Sequence, residues 1–338
     1  MVSLSKVRES NLQAPSALPA GLVAVFAGGT AGIGEMAMKA FTKHTLKPTV
    51  YFIGRSQEAA DRLLRELKTL NPEGVYHFIK TDLSLLKNVD EVCRDIRNKE
   101  KTINVLFMTQ GTLNTSTTTE EGLRTIIALT LYSRTRMTVN LLPAIQQAPS
   151  VRRVITVLAG TKEGALSVDD IPGNNVGITK TRGHGCSVLT LSLEEMSRQY
   201  PEVSFIHNFP GSVDTGIIRP GDGIMLRSIG VGFRVVMNAL NKFLPEEEVG
   251  ERHAFFCLSG RYPPKHLGEG MQGVPSDAIA AGADGKSGSG FYSLDWDGES
   301  ASDEVVEMLD KYRAEGMVGK VWEHLEGEFK RITGTTSI

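Results

Sequence analysis

The feature that most limits the fold of this chain is an alternation of short apolar runs with helical patterns between Leu22 and Asn208. The pattern predicts strands at 22–26, 49–53, 75–80, 103–108, 153–158 and 203–208. It predicts helices at 35–44, 56–70, 89–99, 120–146 and about 180–200, with Ser56 as an N-cap. Strands apolar along their whole length are buried on both faces, and the intervening helices are long enough to cross over between parallel neighbours. Right-handed crossovers place those helices on both sides of the sheet. The expectation is an α/β chain with a doubly wound parallel sheet, a Rossmann fold, whose ligand crevice lies at the carboxyl ends of the strands.

The remaining length is assigned around that core. Residues 1–20, with Pro15 and Pro19, read as an N-terminal arm or loop, and 21–215 as the dinucleotide-binding core. Residues 216–338 read as a substrate lid and C-terminal cover of the same domain, with amphipathic segments at 224–244 and 246–258, a loop-rich stretch at 259–290 and a charged helical end at 301–332. Of the 35 glycines, 15 fall within 211–290, where this helical and loop extension is expected to bend over the substrate site. A net charge of −2 without basic blocks offers nucleic acid no electrostatic footprint. Cys93, Cys186 and Cys257 lack metal-ligand spacing and read as core thiols of a reducing compartment. No apolar run long enough for stable membrane insertion and no leader pattern is visible, so a soluble cytoplasmic protein is expected.

The turn between the first strand and first helix reads Ala27-Gly28-Gly29-Thr30-Ala31-Gly32-Ile33-Gly34. Glycines there let the backbone approach a pyrophosphate at the helix N-terminus, which makes Gly28, Thr30, Gly32, Ile33 and Gly34 candidate cofactor contacts. The second strand ends in Gly54-Arg55-Ser56, where NAD sites place a carboxylate against the ribose 2′-hydroxyl. A guanidinium suits a 2′-phosphate instead, so Arg55 and Ser56 point to NADP(H).

With these motifs the chain resembles the short-chain dehydrogenase/reductase family from about Leu22 to Thr215. The glycine loop is similar to the family's T-G-x-x-x-G-x-G, with Ala27 in place of threonine. Thr81-Asp82-Leu83-Ser84 resembles its D-[LV] element, which implies that Asp82, with Leu83, holds the adenine. Thr109-Gln110-Gly111 stands at the family's N-N-A-G, where Gly111 alone survives. Pro210-Gly211-Ser212-Val213-Asp214-Thr215 is similar to P-G-x-V-x-T, which implies that Pro210, Gly211, Val213 and Thr215 clasp the nicotinamide carboxamide. Gly288 to Ser293 and Val321 to His324 resemble a fungal branch often found with secondary-metabolite pathways.

The family's chemistry uses an Asn-Ser-Tyr-Lys tetrad, and most of it is missing. Thr130 stands for the asparagine and Ala159 for the serine, with Thr161 the nearest hydroxyl. The Y-x-x-x-K signature reads Val176-Gly177-Ile178-Thr179-Lys180, which keeps Lys180 for the ribose and loses the tyrosine. A positioned acid or base contributes about 10²- to 10⁴-fold, so proton supply needs another group. His184, four residues after Lys180, shares its helix face and is the candidate acid; the alternative is a helix-start histidine packed beside Cys186. The lid's apolar residues imply a bulky apolar small-molecule substrate, whereas their interleaved basic residues also fit a membrane-surface helix. A homodimer is a third use of such faces, since helices four and five pair across subunits in many family members. The leading expectation is an NADP(H)-dependent oxidoreductase reducing a carbonyl or imine, or catalysing the reverse. The alternatives are a non-redox isomerase or cyclase on the same scaffold and an inactive binding protein.

Overall fold

The computed structural model describes residues 1–215, 237, 240, 242–268 and 273–338. Its centre is a seven-stranded sheet of β1 (Val23–Ala27), β2 (Thr49–Gly54), β3 (Val75–Lys80), β4 (Val105–Met108), β5 (Arg153–Val157), β6 (Ser204–Asn208) and β7 (Phe291–Leu294). The order is β3-β2-β1-β4-β5-β6-β7, and every neighbouring pair is parallel. Alternate side chains of each strand feed two cores, as the two-residue period of a strand requires. Ala24, Phe26, Phe52 and Phe107 enter one; Val25, Tyr51, Leu106 and Met108 enter the other.

The first core is closed by α1 (Leu4–Ala17), α2 (Gly32–His44), α3 (Gln57–Leu70) and α8 (Glu246–Leu258). Gly250 lets α8 approach α2 closely, since a Cβ there would lie 2.9 Å from the Met36 carbonyl oxygen. The second core is closed by α4 (Leu86–Lys99), α6 (Ser133–Gln146), α7 (Ile178–Gln199), α9 (Asp303–Ala314) and α10 (Met317–Thr333). The last helix buries Met317, Val318, Val321, Leu325 and Phe329 along one stripe against α7 and α4.

Three expectations change. Residues 4–17 form a helix in place of an arm or loop, because burial of Val7, Asn11 and Ala14 outweighs the backbone donor missing at Pro15. The single helix expected over 120–146 starts later, at α5 (Thr125–Ile127), passes through a π-turn at Ala128–Tyr132 and continues as α6. The loop-rich tail of the glycine-dense region is followed by β7, a seventh parallel strand that the sequence reading missed. Most of the lid segment, 216–244, lies outside the described residues. The two final helices cover the α4 and α7 side of the sheet, whereas Leu244 and Trp296 lie against Gly211 and Asp295 accepts from Thr161. No described helix is long and apolar enough to cross a membrane.

Candidate functional site

Chain direction across the sheet reverses between β1 and β4, so a crevice opens above their carboxyl ends. The glycine loop sits in it. Gly28 and Gly29 donate their N–H groups to the Ile53 carbonyl at 3.1 and 3.2 Å, which ties the loop to the end of β2. Gly28 has φ +80°, and a Cβ on it would lie 2.7 Å from Thr109 Oγ1 and 2.8 Å from the Gln110 nitrogen. A Cβ on Gly34 would collide with the Gly28 carbonyl oxygen. Thr109 Oγ1 lies 3.2 Å from the Ala27 carbonyl and 3.1 Å from that of Gly28, and so straps β4 to the loop. This residue was passed over in the sequence because it precedes the one surviving glycine of its motif.

Helix α2 starts at Gly32 behind Ala31, which gives no side-chain cap, so its first N–H groups face the crevice as a ready anion site. Thr30 fills the space that a side chain on Gly54 would need, and Ile33 packs against the first core. Arg55 follows at the rim, exposed and with no side-chain hydrogen bond or ion pair among the described residues. The Ser56 hydroxyl accepts from the Ala59 N–H at 3.2 Å, so it serves as the N-cap that its position predicted. Asp82 is turned by the Ser84 N–H onto its Oδ1 at 2.9 Å, and Leu83 beneath it is buried. Thr215 abuts Gly32: a Cβ built there would lie 3.0 Å from the Thr215 Cβ. Gly211, at φ +76°, is pressed against Trp296 and Leu244, beside Pro210 and Val213. The structure brings the glycine loop, Thr30, Thr109 and Thr215 together, and an uncapped helix start with glycine cradles fits the phosphates of a dinucleotide.

The catalytic candidates meet different surroundings. Thr130 lies in the π-turn and donates its hydroxyl to the Ile126 carbonyl at 2.7 Å. Its methyl group would be 3.6 Å from a Cβ on Gly111. Lys180 is exposed and has no side-chain partner among the described residues. His184 is buried, with Nδ1 accepting from the Ser167 N–H at 3.1 Å and Nε2 donating to the Ile171 carbonyl at 3.0 Å. Both ring nitrogens therefore hold the 167–171 loop. Tyr132 joins His324 at 2.7 Å, away from a shared face with Thr130.

The end of β5 rests on a buried network. Ala159 donates its N–H to His207 Nε2 at 3.2 Å, which fixes the ring proton on Nδ1, directed at Thr190 Oγ1 at 2.7 Å. Thr190 and Ser293 each donate to Glu163 Oε1 at 2.7 Å, and Ser293 accepts from the Thr161 N–H at 2.6 Å. Burial raises the Glu163 carboxyl above its usual range against those two hydroxyls. Burial, aided by the nearby Arg134 charge, pushes His207 down to about 3 and keeps it neutral. Thr161, at φ +67°, donates to Asp295 at 3.3 Å, and Asp295 pairs with Lys162 at 2.7 Å. Lys162 Nζ and Arg182 Cζ lie 5.0 and 5.1 Å from the centre of the Phe209 ring, immediately before Pro210. Arg182, Phe209 and the buried Arg134 were not anticipated, since no spacing rule marks them.

A family model for short chain dehydrogenases matches residues 22–166. The chain is 34% identical over 99% of its length to oxidoreductase andH of Emericella variicolor, covering 99% of that protein. It is 37% identical over 96% of its length to an oxidoreductase of Emericella nidulans, covering 97% of it. Its fold is similar to that of L-sorbose reductase from Gluconobacter frateurii, solved with NADPH and L-sorbose, at a TM-score of 0.55 and 15% identity over 76% of this chain and 98% of that one. The fold and crevice define a nicotinamide-type oxidoreductase scaffold. The chain belongs to the short-chain dehydrogenase/reductase family.

Proposed function

We infer that this protein is an NADP(H)-dependent oxidoreductase that reduces a carbonyl or imine of a bulky apolar small molecule, or runs the reverse, in the cytoplasm as part of secondary metabolism. The observation that carries the cofactor choice is Arg55, exposed and unpaired among the described residues at the end of β2 beside Thr30. In this reading the N-terminus of α2 receives the pyrophosphate, Arg55 the 2′-phosphate, Asp82 the adenine amine and Lys180 the ribose, with Gly111 beneath and residues 210–215 against the carboxamide. Bound NADPH would supply the hydride. Among the described residues, neither Thr130, Thr161 nor His184 is free to take the place of the lost tyrosine. Thr130 and His184 already donate to backbone carbonyls, and Thr161 to Asp295, so they orient the walls. A substrate already activated, such as an iminium, needs no proton on oxygen and fits that arrangement. Relatives named as oxidoreductases along nearly the whole chain support redox chemistry over isomerisation.

The test is the binding of NADPH and NADH to wild type and Arg55→Ala. Loss of one charge-assisted phosphate contact, about 1.5–3 kcal/mol, should weaken NADPH about 10- to 100-fold and leave NADH nearly unchanged. Equal weakening of both would overturn the 2′-phosphate role. Product formed from a candidate substrate without loss of NADPH absorbance would overturn the redox reading.

A further inference from the structure

Arg134 on α6 is 2% exposed, and no carboxylate pairs with it among the described residues. Its Nη1 donates to Thr156 Oγ1 at 2.6 Å and to the Val157 carbonyl at 2.8 Å, and its Nη2 to the Gln110 carbonyl at 2.7 Å. The guanidinium therefore bridges the carboxyl ends of β4 and β5. A Cβ on Gly111 would lie 3.9 Å from Nη2, so the charge sits directly under the crevice floor. Two positions along the helix Arg136, equally buried, has a bidentate partner in Asp90 at 2.7 and 2.8 Å. Burying an uncompensated charge is costly, and carbonyl dipoles recover only part of that cost. Burial pushes Arg134 down to about 9, which still leaves it a cation at neutral pH. Gln110 Oε1, in the same floor, is buried without a partner among the described residues.

A dinucleotide laid across the crevice with its adenine over β2 and β3, where Arg55 and Asp82 stand, has its nicotinamide over β4 and β5. The oxidised ring carries one positive charge more than the reduced ring. We propose that Arg134 is a fixed positive charge beneath the nicotinamide half of the crevice that makes the protein bind NADPH more tightly than NADP+, so that it loads with reduced cofactor and releases the oxidised product, as a reductase must. The inference rests on the NADP(H) reading above and adds a direction to it. Like charges within about 10 Å, at an effective dielectric constant near 20, differ in affinity by about 10-fold or more.

Dissociation constants for NADPH and NADP+ test this on wild type, Arg134→Met, Arg134→Lys and Arg153→Met. Arg153 is the control: it is just as buried, also has no carboxylate partner among the described residues, and bonds to the carbonyls of Phe256, Ser259 and Tyr262 at the opposite end of the sheet. The expected wild-type preference for NADPH is about 10-fold or more. It should fall to within about 2-fold in Arg134→Met, survive in Arg134→Lys and be unchanged in Arg153→Met. A purely structural role would weaken both forms equally, and an unchanged ratio in Arg134→Met overturns the proposal. If that variant does not fold, Thr130→Asp sets a carboxylate beside the cation from the partly exposed side and should narrow the ratio; a wild-type ratio near one, or one unmoved by Thr130→Asp, overturns it equally. Binding of neither form overturns the dinucleotide reading and this inference with it, whereas binding of both without discrimination overturns this inference alone.

Discussion

Glu251 on α8 holds three helices together, and its removal has a calculable signature. His44 Nε2 of α2 lies 2.9 Å from Oε2, Asn11 of α1 donates to the same oxygen at 2.7 Å, and Lys43 reaches Oε1 at 3.2 Å. Burial alone would raise this carboxyl, but the hydrogen bonds from His44 and Asn11 and the charge of His44 outweigh it and bring it from 4.5 to about 2. A folded-state value below the unfolded one stabilises the protein fully above the unfolded value, and the effect is lost as pH falls toward the folded one. That lowering corresponds to about 3 kcal/mol, of which about 2 kcal/mol is gone by pH 3. Urea unfolding of wild type and Glu251→Gln, stepped from pH 7 to pH 3, isolates this carboxylate from the others. The variant should be about 3 kcal/mol less stable at pH 7, and the gap should shrink by about 2 kcal/mol on acidification. Stability curves that stay parallel across that range would refute the assignment. The assay matters for the site because α2 carries the glycine loop at its other end.

Gly28→Ala forces a side chain into a left-handed backbone position 2.7 Å from Thr109 Oγ1. Calorimetry should show about 2 kcal/mol of lost stability and no measurable NADPH binding; unimpaired binding would mean that the loop adapts. His184→Ala leaves the Ser167 N–H and the Ile171 carbonyl unpaired, so unfolding should cost about 2–4 kcal/mol less while the shape of the pH–rate profile stays fixed. Disappearance of one limb of that profile would restore the histidine as an acid.

Most of the sheet is readable because short runs rich in apolar residues alternate with helical patterns, and the loop after β1 because glycines at set spacing follow it. Two elements escaped for physical reasons. Helix α1 contains Pro15 and too few apolar residues for its own periodicity to be visible; its burial depends on Glu251, far along the chain. Strand β7 has only four residues, directly after Gly290, and gains its identity only by pairing with β6. Catalytic candidates were legible as positions and not as roles. Lys180 and His184 both fall on α7, yet Lys180 is exposed and His184 is buried and engaged with a loop whose path no periodicity encodes. Arg134 looks like any helix arginine until the ends of β4 and β5 are seen to converge on it.

The contact between α1 and α8 joins residues 240 apart, Asn11 and Glu251. At ribosomal rates of about 5–20 residues per second, roughly 10 to 50 s separate the synthesis of the two partners. Throughout that interval the sides of α1 and α2 that α8 will cover stay bare, although β1, β2 and the glycine loop have long since emerged. The half of the sheet that carries the glycine loop is thus complete in sequence well before it is complete in structure. Its completion waits for α8, and a chaperone that shields α2 meanwhile would raise the yield of native protein without touching the finished fold.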